Sequence, residues 1–420
     1  MASSSLELLK NQIYSGENIQ QVVDLIIIGA VENGSSDIHI EPLTSNVRLR
    51  YRLDGILREI LEYQPFLHPQ IVARIKIMSN MKIDESRIPQ DGRLSTTISG
   101  KPLDLRVSTL PTVHGEKIVM RIVDKSKKIP TIDELGVEWH NHDLLLKAIN
   151  EPNGIVLTSG PTGSGKSTTL YACLSSLNTV DVNIMTLEDP VENQIDGINQ
   201  SQVFPDIGYS FANGLRTALR QDPDIIMVWE IRDKETVTIA IEASLTGHLV
   251  VSTIHTNSAA ETITRVLNMG IQAFLIPASF NAIIAQRLVR RLCQNCKKPL
   301  LMSDLDLHTR ETVQKALAKT AKEELIRRVP KDILAKPTFY QPIGCPECDN
   351  LGYKGRVWVY EILEITPNVK KLVIDGASAT IINEVAIRDG MISLEQDWLM
   401  KALNGLTSIE EVYNAAKANN

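Results

Sequence analysis

The chain has 420 residues, 43% of them hydrophobic and 22% charged, with a net charge of -6 at neutral pH and a pI near 5.8. That length carries roughly two to four domains, and that balance is the one of a soluble globular protein. Net negative charge argues against nucleic acid as the main partner, no apolar run reaches the ~18 residues of a membrane span, and the N-terminus lacks an export signal.

Taken in chain order, positions 3–33 read as mainly helical, with apolar residues at Leu6, Leu9, Val22, Val23, Ile26 and Ile27. From Ser36 the period drops to two. Asp37-Ile38-His39-Ile40-Glu41-Pro42 and Val47-Arg48-Leu49-Arg50-Tyr51-Arg52-Leu53 alternate like half-buried strands, and Asp54-Gly55 marks a turn. Helical spacing returns over 70–81, and 93–123 is strand-rich, broken at Ser99-Gly100 and His114-Gly115. An α+β domain with leading helices is therefore expected over 1–124. Lys125-Ser126-Lys127-Lys128 is a polar, basic linker, and 125–150 is the entry to the next domain.

From there, helices alternate with short apolar strands at 155–158, 183–186, 225–228 and 249–253. Such alternation predicts a largely parallel sheet flanked by helices, an α/β core over 151–291. A helix over 235–245 places Val237, Ala240, Ile241, Ser244 and Leu245 on one face. Arg287, Arg290 and Arg291 read as a solvated helix end, where cations meet the negative pole of the helix dipole; nucleic-acid contact is the alternative. The cysteine pairs occupy a subdomain over 292–358. A helical region follows over 359–420, its helices within 368–418.

Within the α/β core, Gly160-Pro161-Thr162-Gly163-Ser164-Gly165-Lys166-Ser167 matches G-x-x-x-x-G-K-[ST] in full, and Thr168 follows. The glycines let the backbone curl so that N–H groups point at a phosphate. Lys166 brings charge to the β- and γ-phosphates, and the Ser167 hydroxyl suits Mg²⁺. The preceding strand and a helix over 168–177 supply the required context. A structural glycine turn would leave Lys166-Ser167 unexplained.

Two acidic clusters close neighbouring strands: Glu188-Asp189-Pro190-Val191-Glu192 and Ile225-Ile226-Met227-Val228-Trp229-Glu230. Ligands of α/β sheets collect beyond the carboxyl ends of strands, so either carboxylate could orient the attacking water or hold Mg²⁺ through water. Each taken alone also reads as a helix N-cap. His255 closes the next strand and could bond a γ-phosphate, although a lone histidine is more often structural. Arg106 and Arg121 lie fifteen residues apart. On one strand they would face opposite sides, so a turn or two strands must intervene. They read either as surface cations or as arginine fingers in phosphoryl transfer.

Of the five cysteines, Cys173 stands alone and reads as a small core residue. Cys293, Cys296, Cys345 and Cys348 form two C-x-x-C pairs separated by forty-eight residues. In a chain without an export signal these indicate metal binding, in the cytoplasm, rather than disulfides. Four thiolates suit tetrahedral Zn²⁺ and leave no open position, so the site is structural. The long insert must fold back as a subdomain.

Taken together, these residues resemble the type II secretion and type IV pilus assembly ATPases over nearly the whole chain. Ser36 to Pro42 and Leu110 to Lys117 resemble two motifs of that family's second N-terminal domain. Glu188 to Glu192 resembles its Asp box, Arg220 to Asp233 its Walker B segment, and Thr246 to Asn257 its His box. The resemblance implies a RecA-like P-loop ATPase domain preceded by a small PAS-like α+β domain, with a zinc-binding subdomain and a helical C-terminal tail. It further implies a homo-hexamer that binds ATP and Mg²⁺, and Zn²⁺ at the cysteines. By position Glu230 becomes the residue that activates water, Glu188 joins the Mg²⁺ and water network, Arg106 and Arg121 become arginine fingers, and His255, with His248 behind it, senses the γ-phosphate. The implied partners are an inner-membrane platform protein and membrane-anchored assembly proteins, with the chain cytoplasmic and peripheral to the inner membrane, and no nucleic acid. The quartet is similar to that of the secretion and pilus-extension branch; the retraction branch lacks it. Family members often carry a further N-terminal docking domain, so the chain is either truncated or reaches the membrane through the platform alone.

One position departs from the family pattern. Trp229 stands where the family has glycine before the Walker B glutamate. An indole there either crowds Glu230 and slows turnover or turns away into a pocket. Three functions follow as alternatives: an assembly motor, a nucleic-acid translocating ring, and an ATP-binding subunit with impaired hydrolysis.

Overall fold

The structure, a computed structural model, describes residues 4–15, 18–98, 100–124, 128–320 and 322–412. Most of the Lys125–Lys128 linker, the turn residue Ser99 and the last residues of the expected tail lie outside the described residues. The chain forms two compact units, Met1–Lys128 and Ile129–Asn420.

The first unit is built on a six-stranded antiparallel sheet. Its strands are β1 (Asp37–Pro42), β2 (Val47–Leu53), β3 (Ile56–Tyr63), β4 (Gln90–Ile98), β5 (Lys101–Thr112) and β6 (Gly115–Asp124), in the order β3-β2-β1-β6-β5-β4. Alternation along β2 turns Val47, Leu49 and Tyr51 inward and leaves Arg48, Arg50 and Arg52 partly exposed, as period two requires. The helix Ile19–Glu32 packs on the inner face, where the Tyr51 hydroxyl donates to the Ile26 carbonyl at 2.6 Å. The β5–β6 hairpin supplies the turn that the Arg106–Arg121 spacing demands. The two arginines are direct cross-strand partners and share a face.

The second unit holds a seven-stranded sheet with β7 (Gly154–Ser159), β8 (Ile184–Glu188), β9 (Asn199–Gln202), β10 (Ile225–Val228), β11 (Leu249–Ile254), β12 (Phe280–Leu292) and, after a small hairpin of β13 (Lys298–Leu301) and β14 (Thr338–Gln341), β15 (Tyr353–Glu364). The order is β15-β12-β7-β11-β10-β8-β9. Every neighbour is parallel except β15, which runs antiparallel to β12. Strands β7, β10 and β11 are buried throughout, which is why they read as near-continuous apolar runs. Their alternate residues feed two cores: Ile155, Leu157, Ile226 and Val228 pack on one face, Val156, Ile225 and Met227 on the other.

The structure differs from the sequence-based expectation in the region of the basic cluster. Arg287, Arg290 and Arg291 lie on β12, not at a helix end. Apolar residues at 282–289 satisfy helical and strand periods alike, and pairing with β7 and β15 decides for the strand. Arg290 stacks on Tyr353 at 4.0 Å and pairs with Glu411. The segment between the cysteine pairs folds back through β13, β14 and the helices Leu307–Lys319, Lys322–Arg328 and Lys331–Ala335. Short helices follow β15, among them Pro367–Ile374, Ala379–Arg388 and Leu394–Leu403. A buried ion network joins these parts, with Arg328 on Asp397 and Glu138, and Lys401 on Asp397 at 2.9 Å. Among the described residues no helix is long and apolar enough to cross a membrane.

Candidate active site

The G-x-x-x-x-G-K-S segment forms the turn between β7 and the helix Lys166–Leu177. Gly160, Gly163 and Gly165 all take positive φ, of +149°, +80° and +86°. At Gly160 a Cβ would lie 2.6 Å from the Gln286 carbonyl oxygen, and at Gly165 one would lie 2.4 Å from the Trp358 indole nitrogen. The loop therefore needs glycine for conformation and for close approach. Gly165 is also the helix N-cap and offers no side chain to the first N–H groups, whereas Ser210, Asp233 and Ser258 cap the helices that follow them. Those uncapped donors, with the positive end of the helix, are what a phosphate uses. Lys166 Nζ donates to the Gly160 and Pro161 carbonyls at 2.8 and 3.1 Å. Burial lowers its pKa to about 8; Arg287 adds to this and Glu230 opposes it.

Glu230 and His255 meet beside this loop. His255 Nε2 lies 3.3 Å from one Glu230 carboxylate oxygen, and Arg232 Nε donates to the other at 2.8 Å. Glu230 closes β10 and His255 closes β11, so the parallel pairing of these strands delivers both to one end of the sheet. His255, Thr256 and Asn257 line an open cleft of about 860 Å³ together with Gly160 and Pro161. That volume lies within the range of small-molecule sites. His248 stands at the other end of β11, roughly 20 Å away at the strand rise per residue.

Glu188 occupies a different setting. It is fully buried at the end of β8. One carboxylate oxygen accepts from Thr186 Oγ1 at 2.5 Å and Gln200 Nε2 at 2.9 Å, and the other accepts from the Tyr171 hydroxyl. Both oxygens thus face protein rather than the cleft. Burial, with Glu188 beside it, pushes the Tyr171 phenol well above its ordinary pKa. The Trp229 indole lies on the Tyr171 side, with ring centroids 6.4 Å apart. It packs with the core that holds Ile225 and Met227. The backbone N–H of Trp229 donates to the Leu187 carbonyl at 2.8 Å, and its backbone carbonyl accepts from Thr253 Oγ1.

In the first unit Arg121 Nε pairs with Asp37 at 3.1 Å, and Arg52 reaches the same carboxylate at 3.3 Å. Arg106 faces Arg121 across the hairpin.

Sequence reasoning missed a set of residues on β12 and β15. Gln286 Nε2 donates to the Ser164 carbonyl at 2.8 Å, Arg287 Nη2 donates to the Asn257 carbonyl at 2.7 Å, and the Tyr360 hydroxyl meets Thr169 Oγ1 at 3.3 Å. The one visible signal was a polar pair inside the apolar run Ala282 to Val289.

The four cysteines converge at the far ends of these strands, with all four sulfur atoms within 4.8 Å of one another. Three Sγ–Sγ separations are 3.7, 3.8 and 3.8 Å. A metal–sulfur bond of about 2.3 Å gives a regular tetrahedron an edge of about 3.8 Å, so the donor set fits a four-thiolate metal centre. Backbone N–H groups of Gly344, Cys345 and Gly352 point at Cys296 and Cys348 sulfurs at 3.2–3.3 Å, an arrangement that favours thiolate.

Residues 13–414 match the family described as Type II/IV secretion system protein. The chain is 47% identical over 395 residues to the type IV pilus assembly ATPase PilB of Myxococcus xanthus, covering 94% of this chain and 67% of that relative. It is 44% identical over 399 residues to the type II secretion system ATPase E of Vibrio cholerae, covering 95% of this chain and 75% of that one. Among solved structures, the ATPase DotB of Legionella pneumophila shares the fold, with a TM-score of 0.67 at 21% identity over 94% of this chain and 95% of that one.

Proposed function

The chain belongs to the Type II/IV secretion system protein family, and on that footing we propose that it is an ATP hydrolase whose turnover powers assembly of a type IV pilus or a type II secretion pseudopilus. The observation that carries this reading is the Glu230–His255 pair beside an uncapped P-loop helix, in a chain 44–47% identical to named assembly and secretion ATPases. The active form is a homo-hexamer working in the cytoplasm against an inner-membrane platform protein and its membrane-anchored partners.

Each part of the site has a chemical task in this reading. The N–H groups of Gly163 to Thr168 bind the phosphates. Lys166 leaves the loop carbonyls for the β- and γ-phosphates. Ser167 holds Mg²⁺, which neutralises charge on the phosphates when bound. Glu230 takes a proton from the attacking water or orients it, and His255, already against that carboxylate, reports whether a γ-phosphate is present. Glu188 acts indirectly, since its carboxylate is held by Tyr171, Thr186 and Gln200; it sets the end of β8 next to Trp229. Arg106 and Arg121 serve as arginine fingers that meet transition-state charge. The cysteine quartet holds a structural Zn²⁺.

Steady-state ATPase rates of the wild type, Glu230→Gln and Trp229→Gly test the reading. Glu230→Gln should lose about 10²–10⁴-fold in kcat while still binding ATP. Because the indole packs on the Tyr171 side, Trp229→Gly should hydrolyse no faster than the wild type. An inert wild type rescued by Trp229→Gly would establish a non-hydrolysing subunit instead. Normal rates in Glu230→Gln would remove Glu230 as the base.

A further inference from the structure

Strands β12 and β15 pass the nucleotide site on the way to the cysteine cluster, and consecutive side chains of a strand point to opposite faces. The pairing of β12 with β7 runs up to Ala285 and Ser159, so Gln286 and Arg287 come level with the start of the phosphate loop. Gln286 is fully buried, and its Nε2 donates to the Ser164 carbonyl inside that loop at 2.8 Å. Its own backbone carbonyl is the atom against which Gly160 fits. Arg287, 6% exposed, turns the other way. Its Nη2 donates to the Asn257 carbonyl at 2.7 Å, and its Nη1 to the Gln286 carbonyl at 3.1 Å. Asn257 lies two residues beyond His255. One dipeptide therefore grips both loops that face the cleft.

Neither side chain is there for packing. The Gln286 Oε1 is buried without a hydrogen-bond partner among the described residues, so leucine or methionine would fill the space at lower cost. Among the described residues the hydrogen bonds of Arg287 go to Gln286 and Asn257, not to a carboxylate. Burial outweighs Glu361 and Glu261, which offset part of its cost, and holds the guanidinium pKa below the ordinary value, so the charge is expensive to keep. It is also one of the charges that depress the Lys166 pKa, which sets it close to the phosphate position.

We propose that Gln286 and Arg287 are positioning residues that fix the spacing between the phosphate loop and the His255 loop, Gln286 governing nucleotide affinity through Ser164 and Arg287 governing turnover through His255 and Glu230. This rests on the ATP-hydrolase reading above.

The test measures kcat, KM, ATP dissociation constant and Tm on the full chain. Arg287→Lys keeps the charge but loses the planar fork, whose two terminal nitrogens reach the Gln286 and Asn257 carbonyls in a fixed geometry. It should lower kcat by about tenfold or more with the dissociation constant changed less than about threefold. Gln286→Leu should show the reverse, weakening ATP about tenfold with a smaller change in kcat. Combined with His255→Ala, Arg287→Lys should cost nothing further, because both remove the same function; a general packing role would give additive losses. Unchanged kcat in Arg287→Lys, or additive losses in the double variant, overturns the inference while the ATPase reading stands. If Arg287→Lys fails to fold, Gln286→Leu decides alone, and unchanged affinity overturns it. A wild type that binds ATP without hydrolysing it overturns the reading, and this inference with it.

Discussion

Alanine at Gly160 is the sharpest probe of the phosphate loop, because the structure gives its cost from two directions. The position takes φ +149°, outside the range of ordinary L-residues, and holding a non-glycine there costs about 1–3 kcal/mol. The new Cβ would also stand 2.6 Å from the Gln286 carbonyl, an atom fixed by the β12 backbone. Overpacking of that kind costs about 1–3 kcal/mol more. The loop can relieve both by moving off β12, and then its N–H groups no longer converge on one point. The cost of roughly 2–6 kcal/mol therefore appears as lost affinity, a factor of about 30 at the least. Titration with a fluorescent ATP analogue measures the affinity, and thermal unfolding checks that the sheet is intact. Gly163→Ala, where a Cβ meets no atom within 4 Å, is the control; it carries only the φ penalty and should lose less. Wild-type affinity in Gly160→Ala would refute the idea that this loop conformation is the binding one.

Three further outcomes follow. Nucleotide phosphates should restore the Lys166 charge that burial depresses to about 8, so binding takes up a proton above that pH, and affinity should fall as pH rises from 8 toward 10.5, by up to about tenfold per unit; calorimetry in buffers of different ionisation enthalpy would contradict this by finding no proton uptake. The purified chain should carry about one zinc ion, and Cys345→Ser should lower both metal content and Tm; a metal-free chain with the same Tm would count against the four-thiolate centre. Asp397→Asn should destabilise by about 3–5 kcal/mol, since it leaves Lys401 without a carboxylate and Arg328 with Glu138 alone, both cations being almost fully buried. Burial acts to raise the Asp397 carboxyl, but Lys401 and Arg328 outweigh it and hold its pKa below the ordinary value. Its contribution is thus full above the unfolded carboxyl pKa of about 3.9 and disappears as pH falls through the folded value, so denaturant unfolding of the Asn variant should depend less on pH below about 4. Equal pH slopes would rule this out.

The first unit was legible strand by strand apart from β3, most plainly at β2, which buries one face only so that its alternation survives in the sequence. The core strands β7, β10 and β11 were legible for the opposite reason, as short, near-continuous apolar runs. β12 was not: a buried glutamine and a buried arginine within an apolar stretch have no single period, and their partners are more than a hundred residues away for Ser164 and thirty for Asn257.

The sequence by itself determined the P-loop, the cysteine quartet and the family, since each depends on residue type at short spacing and on backbone geometry that only glycine or paired thiols supply. Tertiary structure decided which acid meets the cleft histidine, His255. Glu188 and Glu230 look alike in sequence, each ending an apolar strand. One is enclosed by Tyr171, Thr186 and Gln200, and the other is held by His255, which lines the cleft, and by Arg232. Which way a carboxylate turns at a strand end is set by the neighbours that register brings beside it. The same register carries Gln286 and Arg287 from β12 to the two loops they hold, and no local pattern announces it.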